Sequence, residues 1–145
     1  MLGTENDYDY SSLTGYKRHI NRHQWNCDEL ERVLADDSTH HAEVLRRMRE
    51  LIRLRRAQAA FHPNATQFVL HLGNQIFAFW RQSMDRRQSL FCLNNVSDQN
   101  CSINLSDINL IDNEHWRCLI SGAEFAQRTG TIELLPYQTC WLSNG

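Results

Sequence analysis

Arg18, Asn21, Arg22 and His23 fall close together in one polar stretch, Thr14–His23. A guanidinium presents a rigid fork of N–H donors that matches a carboxylate or a pair of vicinal sugar hydroxyls. Arg18 and Arg22 both carry that fork, although an arginine in a polar loop is most often simply solvated. His23 would serve as a general base only beside an identifiable nucleophile, and the stretch offers none. The carboxylates Glu5, Asp7, Asp9, Asp36 and Asp37 sit among Asn, Ser and Thr and read as solvated turn residues. No Gly-rich phosphate cradle, Cys/His metal spacing or Ser/His/Asp order is present, so neither a cofactor nor a metal is expected. His40-His41 reads as an exposed pair at a helix start.

Three regimes must position these residues. Met1 to about Trp25 is polar, lacks sustained hydrophobic periodicity and predicts a long loop. A helix opens at Asn26, whose side chain can cap it with Glu29 completing a capping-box pattern. After Asp36, Asp37 and Ser38 a longer helix is expected over Thr39–Ala59. Val44, Leu45, Met48, Leu51 and Ile52 lie at helical spacing along it and need a surface to bury them. From His62-Pro63-Asn64 the period drops to two. Phe68, Leu70 and Leu72 run to Gly73-Asn74, read as a two-residue hairpin turn, and Ile76, Ala78 and Trp80 return. Further strands are expected at Ser89–Leu93, Ser102–Leu105, Asn109–Ile111, Trp116–Ile120, Thr131–Leu135 and Thr139–Leu142, which makes an antiparallel sandwich or barrel.

Composition narrows the partners. Fifteen Lys and Arg against 17 Asp and Glu give a net charge of -2, so no global field draws nucleic acid or an anionic membrane. Six arginines crowd the long helix, but Glu43 and Glu50 stand at pairing distance along it, which describes a solvated, ion-paired face. The five cysteines form no CxxC pair and read as reduced. The start lacks the cationic and apolar regions of a signal peptide, and no run approaches membrane-spanning length, so a cytoplasmic location is expected. Sequons at Asn64, Asn95, Asn100 and Asn104 read as polar turn and strand chemistry.

Particular stretches resemble a known group. The order of polar loop, helix pair and terminal sandwich, with Ser121-Gly122 and the closing run Leu135–Leu142, looks like the tail of an α-amylase superfamily enzyme. Gly3-Thr4-Glu5-Asn6-Asp7 and Thr14–His23 resemble the sucrose phosphorylases and their glucosylglycerate-phosphorylase relatives just after the eighth barrel strand. There the pattern is Arg-Asp-Ile-Asn-Arg-His; Arg18, Ile20, Asn21, Arg22 and His23 match it, while His19 replaces the Asp. Leu54–Gln67 and Phe79–Gln82 are similar to the same group, and the resemblance covers essentially the whole chain.

The resemblance implies an α+β chain: residues 1–60 as the loop and terminal helices of a (β/α)8 catalytic barrel, and residues 61–145 as a C-terminal antiparallel β-sandwich. It implies that Arg18 helps to close the floor of a donor-glucose pocket, with Asn21, Arg22 and His23 in weaker supporting contact. The implied parent transfers an α-glucosyl group to phosphate by retaining double displacement. Such chemistry places two carboxyl groups about 5 Å apart, on earlier barrel strands that this chain lacks, so the chain alone is expected to be inactive. Two other readings stay open. Trp25, Trp80, Trp116 and Trp141 could serve a free-standing carbohydrate-binding module, with Trp25 the least constrained. The apolar helix stripe could serve a structural domain that self-associates.

Overall fold

The computed structural model describes residues 3–21, 23–108, 115–125 and 130–144. The chain divides into two compact units, Met1–Ile52 and Arg53–Gly145.

The first unit opens with a helix, α1 (Tyr8–Thr14), and a 3-10 turn over Lys17–Asn21. This stretch, expected as a loop, is thus largely helical. No residue of α1 is buried, so it carries no hydrophobic stripe for periodicity to register. Local caps hold it instead: Asp7 accepts from the backbone N–H of Tyr10 at 2.8 Å, and Gly15 ends the helix at φ +70°.

Helix α2 (Cys27–Ala35) begins as expected, with Asn26 Oδ1 accepting from the backbone N–H groups of Asp28 and Glu29. Helix α3 (His40–Arg56) follows. The Thr39 hydroxyl accepts from Ala42 N and donates to Val33 O, tying the start of α3 to α2. Glu43 pairs with both Arg46 and Arg47, and Arg46 also reaches Glu50. Hydrogen bonds from Arg46 and then Arg47 hold the Glu43 carboxyl below the usual glutamate range. Ala42, outside the expected stripe, is the buried residue of this helix; along the stripe Val44 and Leu45 are half-buried, whereas Met48, Leu51 and Ile52 are 39%, 39% and 50% exposed. The helix stops at Arg56, before the Ala59 expected. Ala57 N is shared between Arg53 O and Leu54 O, and the chain tightens into a 3-10 turn at Ala59–Phe61.

In the second unit the strands are β1 (Thr66–His71), β2 (Ile76–Gln82), β3 (Ser89–Asn95), β4 (Cys101–Asn104), β5 (Trp116–Cys118), β6 (Glu124–Phe125), β7 (Thr131–Leu134) and β8 (Thr139–Ser143). They form a six-stranded sheet, β1-β2-β3-β8-β5-β6, and a two-stranded sheet, β4-β7, paired antiparallel throughout. The expected strand at Asn109–Ile111 lies outside the described residues, and β6 is an addition. Both sheets contribute to one apolar core that includes Ala78, Phe91, Leu93, Ile103, Ile132, Leu134 and Leu142. The opposite face of the large sheet is covered at Leu90 and Cys92 by Ala60 and Phe61. Strand β3 is therefore buried on both faces, which explains its near-continuous apolar run.

The first hairpin departs from the two-residue turn expected. Phe68 faces Trp80 and Leu70 faces Ala78, so Leu72 falls opposite Ile76 and the loop holds an odd number of residues, with Gly73 at φ +97°. A two-residue turn would have set Phe68 opposite Phe79 and split the apolar set between the two faces. The hydrophobic alternation outweighs the turn dipeptide.

Polar hubs brace this unit. Asn95 is 3% exposed. Its amide donates to the carbonyls of Gln99, Leu134 and Leu135, and its oxygen accepts from Ser97 N and Oγ. The Asn95 sequon thus acts as turn chemistry. Arg81 donates to Ala60 O and His62 O, both at 2.8 Å, and to Gln67 Oε1 at 3.1 Å. Gln88 accepts from Ala60 N and donates to Gln58 Oε1.

Candidate functional site

The segment bearing Arg18 is a small self-contained hairpin. Asp7 N donates to Ile20 O at 2.7 Å, closing the 3-10 turn back on the start of α1. His19 is its centre: the ring stacks on Tyr10 at 5.0 Å, meets Tyr16 at 5.6 Å, and its Nδ1 lies 3.0 Å from Thr14 Oγ1. The residue that replaces the group's Asp is therefore built into the hairpin through aromatic packing and a hydroxyl contact. Arg18, on the same turn, is exposed, and no carboxylate pairs with it among the described residues. Its fork of donors is free to engage a ligand. Asn21 is also exposed, and Arg22 lies outside the described residues.

His23 goes elsewhere. Its ring meets Trp25 edge-on at 4.7 Å, and Trp25 meets His41 edge-on at 5.1 Å. These three rings line a cavity of about 720 Å³ together with Gly3–Asp9, Glu29 and His40. The structure thus brings His23 to the cavity but not Arg18 or Asn21. Two of the stretches that carried the resemblance, Gly3–Asp7 and the end of Thr14–His23, meet at this place. Gly3 has φ +73°, and a Cβ on it would lie 2.4 Å from His40 Nε2.

The cavity is polar and aromatic, suited to hydrogen-bonding and stacking a hydroxylated ligand. Among the described residues no three His, Cys, Asp or Glu side chains converge as a metal site requires. Sequence reasoning left His40 and His41 as a solvated pair and Trp25 unassigned; spacing along the chain gives no sign that α3 returns to the Gly3–Asp9 segment. Trp116 is 3% exposed in the sheet core, and Trp80 and Trp141 pack against the two strand clusters. Trp25, by contrast, lines the cavity beside His23 and His41.

Comparison with known proteins finds relatives along nearly the whole chain. The chain is 32% identical over 142 residues to the glucosylglycerate phosphorylase of Escherichia coli, covering 98% of this chain and 24% of that protein. It is 30% identical to the glucosylglycerate phosphorylase of Allomeiothermus silvanus, covering 98% of this chain and 22% of that protein. The chain therefore spans about a quarter of the length of these relatives. Among solved structures, AmyP in complex with maltose aligns with a TM-score of 0.62 at 14% identity, over 72% of this chain and 21% of that one. Trehalose-6-phosphate hydrolase from Bacillus licheniformis aligns at 0.54 and 18% identity, over 78% and 20%. These two likenesses establish the fold. Residues 67–141, just over half of the chain and the whole span from β1 into β8, match the family described as Maltogenic Amylase, C-terminal domain, and the chain belongs to that family.

Proposed function

We propose that this chain is the C-terminal part of a retaining glycoside phosphorylase that transfers an α-glucosyl group from a glucoside to phosphate. On this reading residues 1–60 are the last loop and helices of a (β/α)8 barrel, residues 61–145 are a structural β-domain, and the working location is the cytoplasm. The carrying observation is the likeness to glucosylglycerate phosphorylases along 98% of the chain. The meeting of Gly3–Asp7 with His23 at one cavity supports it, because the two stretches that define the group's loop act on a common space. Arg18 supplies a fork of donors to the donor sugar or to the carboxylate that orients it, while His23 and Trp25 shape the polar wall. Sucrose phosphorolysis and glucosylglycerate phosphorolysis share this chemistry and differ in the group that leaves.

On this reading the acid and the nucleophile lie on earlier barrel strands outside these 145 residues, so the chain alone turns over neither donor. The test uses the full-length enzyme, supplied with glucosylglycerate or sucrose and phosphate, and follows glucose 1-phosphate and its anomeric form. Retention gives the α anomer. Arg18→Lys keeps the charge and loses the fork, so kcat/KM should fall at least about tenfold, the worth of one charge-assisted hydrogen bond. Lys17→Ala, its exposed neighbour, should be nearly silent. Equal small effects for both, or the β anomer as product, would overturn the reading.

A further inference from the structure

Where α3 ends, the second unit holds a cavity of about 450 Å³ lined by Arg55, Arg56 and His62, with Phe61 and Pro63 as its apolar wall. Among the described residues no Asp or Glu lines it. Upstream on α3 the carboxylates of Glu43 and Glu50 engage Arg46 and Arg47. Arg55 and Arg56 have no carboxylate partner among the described residues. In a chain whose net charge is -2, two unneutralised guanidiniums on one concavity create a local field of opposite sign.

The geometry goes beyond charge. The Arg55 guanidinium lies 5.7 Å from the centroid of the Phe61 ring, which is 8% exposed. That contact holds the head in place without consuming its N–H donors. Arg81, 6.0 Å from the same ring, braces this turn through Ala60 O and His62 O. His62 Nδ1 accepts from Asn64 N at 3.1 Å. The neutral ring must then carry its proton on Nε2, which makes His62 a donor. The backbone N–H groups of Ala57, Gln58, Phe61 and His62 are engaged within the turn, so these four do not compete with the side chains as donors. Arginines near a helix C-terminus also favour the helix dipole, but that accounts for the charge and not for a donor-lined concavity.

We propose that this cavity binds a phosphate dianion, either free or as the monoester of a small sugar. Paired guanidinium forks and a neutral imidazole N–H complement tetrahedral phosphate oxygens, and Phe61 with Pro63 offers an apolar wall to an esterified sugar. The site lies in the second unit and does not depend on the donor-sugar reading of Arg18.

The test is a titration of the 145-residue chain at constant ionic strength, once with inorganic phosphate and once with glucose 6-phosphate. Backbone amides of residues 55–63 and the His62 ring are followed by NMR. Saturable shifts confined to that segment are expected. The exposed double substitution Arg55→Gln with Arg56→Gln should weaken binding at least tenfold, while Arg49→Gln should leave it unchanged. At least threefold tighter binding of the sugar ester assigns the site to a phosphorylated sugar; equal or weaker binding assigns it to phosphate alone. Non-saturating shifts, or unaltered affinity in the double variant with its circular dichroism intact, would overturn the proposal.

Discussion

Replacing Arg81 by alanine should unlock the turn that joins α3 to the sheet. Its guanidinium donates to Ala60 O and His62 O at 2.8 Å and to Gln67 Oε1 at 3.1 Å, and the side chain is half-buried. A hydrogen bond from a charged donor contributes about 1.5–3 kcal/mol. Partial solvent access puts each of these at the lower end, so the three together give about 4 kcal/mol. A further loss comes from the apolar stem of this half-buried side chain. For a unit of this size about 1 kcal/mol moves Tm by roughly 4 °C, so Arg81→Ala should lower Tm by about 15 °C in a thermal melt followed by far-UV circular dichroism. Arg81→Lys keeps the charge but presents a compact ammonium instead of a fork, and should recover about half of the loss. Hydrogen exchange should accelerate at Phe61, His62 and Ala65, whose N–H groups close the turn. A drop of less than about 3 °C in Arg81→Ala would refute the reasoning, because the carbonyls of Ala60 and His62 would then be satisfied equally well by water.

Asn95→Asp should be pH-dependent: an ionised carboxylate cannot donate to the three carbonyls that Asn95 serves, so its folded pKa rises above the unfolded value of about 3.9. The stability retained below that value is lost as pH rises through the folded pKa, and urea melts should show the variant closest to the parent chain near pH 4 and weakest at neutral pH; the opposite slope would sink the hub assignment. Gly3→Ala should cost about 1–2 kcal/mol for the left-handed backbone and displace the His40 ring, read as a shift of its NMR resonances with those of distant strands unmoved. Of the five thiols only Cys27 is exposed, and burial pushes the Cys92 thiol up to about 12. One thiol should therefore react quickly with a disulfide reagent in the native chain and the other four only in denaturant; two or more fast thiols would contradict the packing of the sheet core.

The apolar alternation over Phe68–Leu72 and Ile76–Trp80 was sufficient to set which side chains of the first hairpin share a face, because a strand offers only two faces and burial selects one. The same alternation implied the odd loop, although the Gly73-Asn74 dipeptide alone indicated a shorter turn. Asn26 likewise marked the start of α2 without help from the rest of the chain, since a cap is satisfied by backbone groups two and three residues away. Helix α1 has equally local caps in Asp7 and Gly15 but no buried residue, so a reading based on periodicity passed over it.

Other features depended on contacts between residues far apart in sequence. The placement of β8 between β3 and β5, the covering of Leu90 and Cys92 by Ala60 and Phe61, and the service of Asn95 to Leu134 and Leu135 all arise from long-range pairing. The same holds for both cavities. Nothing in spacing brings His41 to Trp25, or Arg81 to Phe61, because a concave site is defined by the surfaces that several segments leave between them. The residue types that could do chemistry were therefore readable along the chain, whereas their grouping into a polar aromatic pocket and a cationic one was decided by the tertiary packing of the segments that carry them.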